Sequence, residues 1–174
     1  MFKGFKNKSI LKSVDSHLQK RQLYTGEVRL KKLAVLIDAR YDIDILSVVT
    51  LANKLGVKPK DLKILGLKEA KSHKENSEDA NASYFDENQL GYTGEFKSKS
   101  LKEFVNENYD VLINFYTEDI PYMNLVAAAS KAKFKAGHVN VDNRINDLVI
   151  STDQKDKGQF IKELTKYLKI FKII

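Results

Sequence analysis

Three short runs, "LAVLIDA" at residues 33–39, "LKILGL" at 62–67 and "VLINFYT" at 111–117, are rich in branched side chains and poor in polar ones. A strand with one wet face alternates apolar and polar residues, whereas a strand covered on both faces does not need to. Runs this short and this apolar are read as interior strands of a doubly covered sheet. Between the first two, the apolar period lengthens: Ile45, Val48, Val49, Leu51, Ala52 and Leu55 fall at helical spacing. Asp42 or Asp44 can cap that helix, and Gly56 closes it. Strands alternating with helices require crossover connections, which are right-handed and build a parallel sheet. The expected fold is a three-layer flavodoxin-like or Rossmann-like α/β domain with a mainly parallel sheet of about five strands.

The rest of the chain fits that plan. "SLKEFVNENYD" reads as a short helix capped by Ser98 or Ser100. "DIPYMNLVAAASKAK" reads as another, with Asp119 as its cap and Pro121 in its first turn. "FKAGHVNV" and "DLVIST" are strands. "KGQFIKELTKYLKIFKII" is an amphipathic helix with Phe160, Ile161, Leu164, Tyr167, Leu168 and Phe171 on its apolar face. Residues 70–82 are polar enough to be a surface loop, and 83–98 read as a strand and turn leading to a further short segment.

In such folds a ligand sits beyond the carboxyl ends of the strands, at the point where the strand order reverses. The turn after the first strand holds Asp38, Ala39, Arg40 and Tyr41. It lacks the glycines of a dinucleotide or triphosphate turn, and Asp38 would repel a pyrophosphate. Asp38 with Asp42 and Asp44, or with Glu118 and Asp119, has the composition of a magnesium or phosphoryl site. The plainer reading pairs Asp38 with a turn amide or with Arg40. There is no cysteine, the three histidines are far apart, and no G-x-S-x-G elbow is present. His138 can face a pocket beside Asn140 and Asp142, or sit buried with its ring bonded to backbone. No enzyme activity, metal or cofactor is expected. The alternative to a non-catalytic role is a small-ligand or catalytic pocket at Asp38, Arg40, Glu118, Asp119 and His138.

Charge placement carries the functional expectation. Residues 1–32 contain the cations Lys3, Lys6, Lys8, Lys12, Lys20, Arg21, Arg29, Lys31 and Lys32, against Asp15 and Glu27. Removing these from the chain's 30 basic and 23 acidic residues leaves 21 of each, so the whole net charge of +7 lies in the first 32 residues. The chain is divided accordingly into a basic N-terminal helical arm, residues 1–30, and a single α/β domain, residues 31–174. Ile10, Val14 and Leu18, with Leu11 beside them, give the arm a narrow apolar stripe that docks on its own domain or on a partner. Basic arms bind nucleic acid by neutralising phosphates and releasing counterions, and Phe2, Phe5 and Tyr24 offer rings for unpaired bases. A second cluster, Lys131, Lys133 and Lys135 around Phe134, would point to one side of an edge strand and extend that face, or protect the edge. The expected partner is RNA, foremost rRNA within the ribosome, where other ribosomal proteins would be neighbours. The competing roles for the arm are membrane-surface association and a solvated helix with no partner.

No apolar run approaches the ~20 residues of a membrane-spanning helix, and the basic N-terminus lacks a signal-peptide core. The expected location is the cytoplasm. At Ser130, Lys131, Ala132, Lys133, Phe134 and Gly137, then Asp147 and Leu148, the chain resembles a family of small Bacteroidota proteins with a domain of unknown function. The resemblance implies a bacterial cytoplasmic α/β protein and brings no catalytic residue with it.

Overall fold

The computed structural model describes residues 2–41, 45–70 and 81–174. The elements run α1 (Phe2–Lys20), β1 (Leu33–Asp38), α2 (Ile45–Lys54), β2 (Leu62–Leu67), β3 (Ala82–Phe85), α3 (Lys99–Asn106), β4 (Val111–Phe115), α4 (Pro121–Ala129), β5 (Phe134–His138), β6 (Leu148–Ile150) and α5 (Lys157–Ile170). Six parallel strands form one sheet in the order β3-β2-β1-β4-β5-β6. This is the doubly wound order in which the chain reverses direction between β1 and β4. The sheet has six strands against about five expected; the strand read at the start of 83–98 is β3, whose four residues bury only Phe85 fully and so give a weak signal.

All six residues of β1 are buried, as a strand with helices on both faces requires. Ala34, Leu36, Leu65 and Leu112 point to a core closed by α1, α3 and α4, with Phe104 and Leu125 among its members. Leu33, Val35, Ile64 and Ile113 point the other way, to a core closed by Val48 and Leu51 of α2 and Leu164 and Leu168 of α5. Each buried Leu, Ile, Val or Phe among them contributes about 1.5–3 kcal/mol on burial.

The helix ends are set locally. Ser98 caps α3 by accepting from the Leu101 amide, and Asp156 caps α5 by accepting from the Gln159 amide. Gly56, at φ +78°, ends α2 in the left-handed conformation. Asp119 does not cap α4; the cap is Ile120, followed by Pro121, and Asp119 accepts instead from the Asn124 amide group at 2.5 Å. The proposed caps Asp42 and Asp44, and most of the polar stretch holding His73, lie outside the described residues.

The N-terminal helix docks on its own domain, chiefly against α4. Ile10 and Val14 are fully buried in the α3/α4 core, with Leu18 packed against it, while Leu11 stays exposed. Polar ties fix its axis. The Tyr122 hydroxyl donates to Asn7 Oδ1 at 2.9 Å, and Arg21 donates to the Ile145 carbonyl at 3.0 Å and to Asp147 at 2.6 Å. Arg144 reaches Asp15 at 2.9 Å. Gly94, at φ +91°, lets the loop before α3 lie against this helix, since a Cβ there would sit 2.6 Å from Ser13 Oγ. The helix starts beside Tyr122 at the head of α4 and ends beside Asp147, so it runs alongside α4.

Candidate functional site

Two places combine exposure with concentrated chemistry, one at each edge of the sheet. The first is the crevice at the strand-order reversal. Arg40 fills its mouth. Its guanidinium donates to both carboxylate oxygens of Asp38, at 2.9 and 2.7 Å, and to Glu118 at 2.8 Å, while its amide also donates to Asp38. The hydrogen bonding to Asp38 holds Arg40 charged above its usual range. Asp38 and Glu118, the acids a magnesium ion would need, are thus bridged by an internal cation. Among the described residues no three His, Cys, Asp or Glu side chains converge as a metal site would require.

Beside Asp38 and Tyr41 lies a cavity of about 150 Å³ with Phe115, Tyr116, His138 and Phe160 among its walls and Glu118, Asp153, Asp156 and Lys157 around it. That is room for a ligand the size of a single six-membered ring, and its acidic surround opposes phosphate. His138 is 2% exposed and has no free nitrogen: Nδ1 accepts from the Asn140 amide at 3.2 Å, and Nε2 donates to the Thr152 carbonyl at 2.8 Å. Asn114, which also lines the cavity, donates to Asn146 at 2.7 Å, through space that exists because position 137 is glycine. The crevice therefore gathers Asp38, Arg40, Glu118 and His138, but each is engaged by a neighbour.

The second place is the opposite edge, where the strands begin. Because β1, β2 and β5 are parallel and in register, the residues just before them share that edge. They are Lys31 and Lys32, Lys58 and Lys60, and Lys131 and Lys133. Adjacent strands lie about 4.8 Å apart, so β2 to β5 spans about 14 Å. Asp110, at the head of β4, organises the middle of this row: it accepts from the amides of Lys31 and Lys32 and from Lys133 Nζ at 2.8 Å. Burial alone would raise its pKa, but these bonds outweigh it and hold the carboxyl below the usual range. Lys32 also pairs with Glu107. Lys20, Lys31, Lys58, Lys60, Lys131, Lys169 and Lys172 have no ion-pair partner among the described residues. At the far edge, carboxylates end or follow β1, β3, β4 and β6 (Asp38, then Asp86 and Glu87, Glu118 and Asp119, Asp153 and Asp156), with the cations Arg40, Lys68, Lys155 and Lys157 set among them. The crossover helices run against the strands, so this segregation also suits their dipoles.

The model of a family of unknown function, DUF6913, matches residues 6–171. The chain belongs to that family. Among curated proteins, none matches this DUF6913 chain. Among solved structures, a probable oxidoreductase from Mycobacterium abscessus is similar, with a TM-score of 0.41 and 13% identity over 92% of this chain and 45% of that one. The DUF6913 chain thus spans less than half of that protein's length.

The arm cations of this DUF6913 protein fall into two groups. Lys6 donates to the Glu87 carbonyl, Lys3 lies 3.7 Å from the Glu87 carboxylate, Arg21 is held by Asp147, and Arg29 pairs with Glu27 at 2.6 Å. Lys8, Lys12 and Lys20 stand exposed on the outward side of α1, with Phe5 among them; nothing is described of the Phe2 side chain. One expectation is corrected outright. Lys135 is not on an edge strand, because β6 pairs outside β5, and its side chain is fully buried. Its ammonium donates to the carbonyls of Ala127 and Ala128 at 2.7 and 3.2 Å, so it cannot meet a phosphate. Lys131 and Lys133 precede the strand, and Lys131 stays exposed. The cations missed from sequence are Lys58, Lys60, Lys169 and Lys172. Their signal was position, directly before a strand or at the end of the last helix, rather than local density.

Proposed function

We propose that this chain binds RNA along its lysine edge, with the outward lysines of α1 extending the contact. The observation that carries this is the row of lysines Lys31, Lys58, Lys60 and Lys131, without ion-pair partners among the described residues, on one edge of a sheet whose opposite edge mixes carboxylates with Arg40, Lys68, Lys155 and Lys157. A polyanion is drawn to the first edge more strongly than to the second. The reading extends to a ribosomal or ribosome-associated role, with rRNA as ligand and ribosomal proteins as neighbours, in the cytoplasm of a member of the Bacteroidota. No helix among the described residues is long and apolar enough to cross a membrane.

The test is fluorescence anisotropy of a labelled RNA against the full chain over a range of salt. Four to seven phosphate contacts give a log–log salt slope of about −3 to −5. Combined reversal of Lys31→Glu, Lys60→Glu and Lys131→Glu should flatten that slope by about 2 and weaken binding. No binding at low salt, or an unchanged slope in the triple variant, rejects the proposal. Sedimentation of a lysate with and without RNase tests the ribosomal part: the protein should travel with a subunit and leave it on digestion.

The cavity favours a second reading, a small-ligand or catalytic site using Asp38, Arg40, Glu118, Asp119 and His138. It predicts that Asp38→Ala abolishes ligand binding while the triple lysine variant leaves it intact.

A further inference from the structure

Two half-exposed rings flank the lysine edge. Tyr24 is 48% exposed and Phe171 is 50% exposed. Neither is required by the core, since α5 is already anchored by Phe160, Leu164 and Leu168. Both are nevertheless positioned. The Tyr24 ring lies so close to the backbone of Gly26 that a Cβ there would sit 2.6–2.9 Å from its ring and hydroxyl atoms. Lys133 Nζ stands 5.4 Å from the same ring's centroid. Phe171 meets Phe134, the residue after Lys133, at 6.0 Å and 62°, and Tyr167 at 6.3 Å and 30°. Neither contact is a close face-to-face stack, so area on the Phe171 ring is left open to a partner.

Aromatic rings held along a row of lysines suit a ligand with both flat apolar faces and regular negative charge. Unpaired nucleotides have both, whereas in a duplex the faces are already stacked. We infer that the ligand of this edge is single-stranded RNA, with bases stacking on Tyr24 and Phe171 while the phosphates follow the lysines. This inference rests on the RNA-binding proposal above and narrows it to unpaired strands.

The experiment compares a labelled oligouridylate with a hairpin duplex of equal phosphate number, at one fixed salt concentration. The proteins are the full wild-type chain and the variants Tyr24→Leu and Phe171→Leu, which keep an apolar side chain and remove the ring. Each variant should bind the single strand about five- to a hundredfold more weakly. Its affinity for the duplex should change by less than about twofold, because the lysines that carry that contact are intact. Phe171→Trp, which keeps a stacking face, should retain single-strand affinity, and unaltered thermal melts guard against misfolding. If wild type binds neither RNA, the RNA proposal itself fails. Equal affinity for single strand and duplex, with the leucine variants unchanged, overturns this inference and leaves RNA binding standing. Tight binding to phosphatidylserine vesicles that the oligouridylate cannot displace also overturns it, making the edge a lipid-facing surface.

Discussion

Replacing Lys135 by methionine should remove a specific pH dependence from the stability of this protein. The side chain is fully buried, and burial, with Arg21 nearby, lowers its pKa from 10.5 to about 7. Asp147 opposes the shift without cancelling it. In the unfolded chain the amine holds its proton up to about pH 10.5, whereas in the folded chain it gives that proton up near pH 7. Between those values the unfolded state binds more protons, so stability falls progressively as pH drops from about 10.5 to about 7 and levels off below. At 1.36 kcal/mol per unit, the penalty carried below pH 7 is on the order of 5 kcal/mol. Integrated from pH 7 to pH 9, the gain is about 2 kcal/mol, because the folded-state amine is still half protonated at the lower end. Methionine has similar length and no charge. It gives up the bonds to the Ala127 and Ala128 carbonyls, each worth about 1 kcal/mol. The variant should therefore be more stable than wild type at pH 6 by a few kcal/mol. The assay is urea denaturation followed by circular dichroism at pH 6, 7, 8 and 9 for both proteins. Their difference cancels the titrating groups not coupled to Lys135, including the two tyrosines, Tyr109 and Tyr116, that burial raises and that titrate only at higher pH. His17, lowered by burial and further by Lys20 and Lys135, does not cancel. Parallel stability curves for wild type and variant would refute the buried placement of this amine.

Two further substitutions probe the packing around the candidate sites. Ile10→Ala, in the fully buried stripe that docks α1, should cost about 2–4 kcal/mol in denaturant unfolding; a loss below about 0.5 kcal/mol would mean the helix is not packed as described. Gly137→Ala places a Cβ 2.5 Å from the Asn146 amide nitrogen and should break its bond to Asn114, lowering stability by about 1–3 kcal/mol. A melting temperature equal to wild type would show that this buried amide pair is not held by the glycine.

The Arg40 bridge explains why the crevice looked more chemical in sequence than it is in three dimensions. An acid at the end of β1 and a pair of acids after β4 have the composition of a metal or phosphoryl site. Arg40 sits two residues beyond Asp38, and the register of β1 with β4 brings Glu118 to the same guanidinium. The plainer sequence reading, Asp38 bonded to Arg40 and to the turn amide, is what the structure contains. His138 likewise has both nitrogens bonded to backbone. The amphipathic stripe of α1 was legible from Ile10, Val14 and Leu18. The surface it covers was not, because an apolar stripe records that something is buried and not against what.

What this sequence determined by itself is local. The predominantly apolar runs made β1, β2 and β4 interior strands, because they hold too few polar residues to build a wet face. Ser98 and Gly56 placed helix ends through bonds and backbone conformations that span only a few residues. The net charge was set by composition alone. Only the tertiary structure decided which strands are neighbours, and those decisions fixed the chemistry of both edges. Parallel pairing gathers Lys31, Lys58, Lys60 and Lys131 from distant parts of the chain onto one edge, and pairing of β6 outside β5 turns Lys135 from an expected surface cation into a buried amine. Propensity and capping act over single turns, whereas strand order and register arise from packing between segments far apart in the chain.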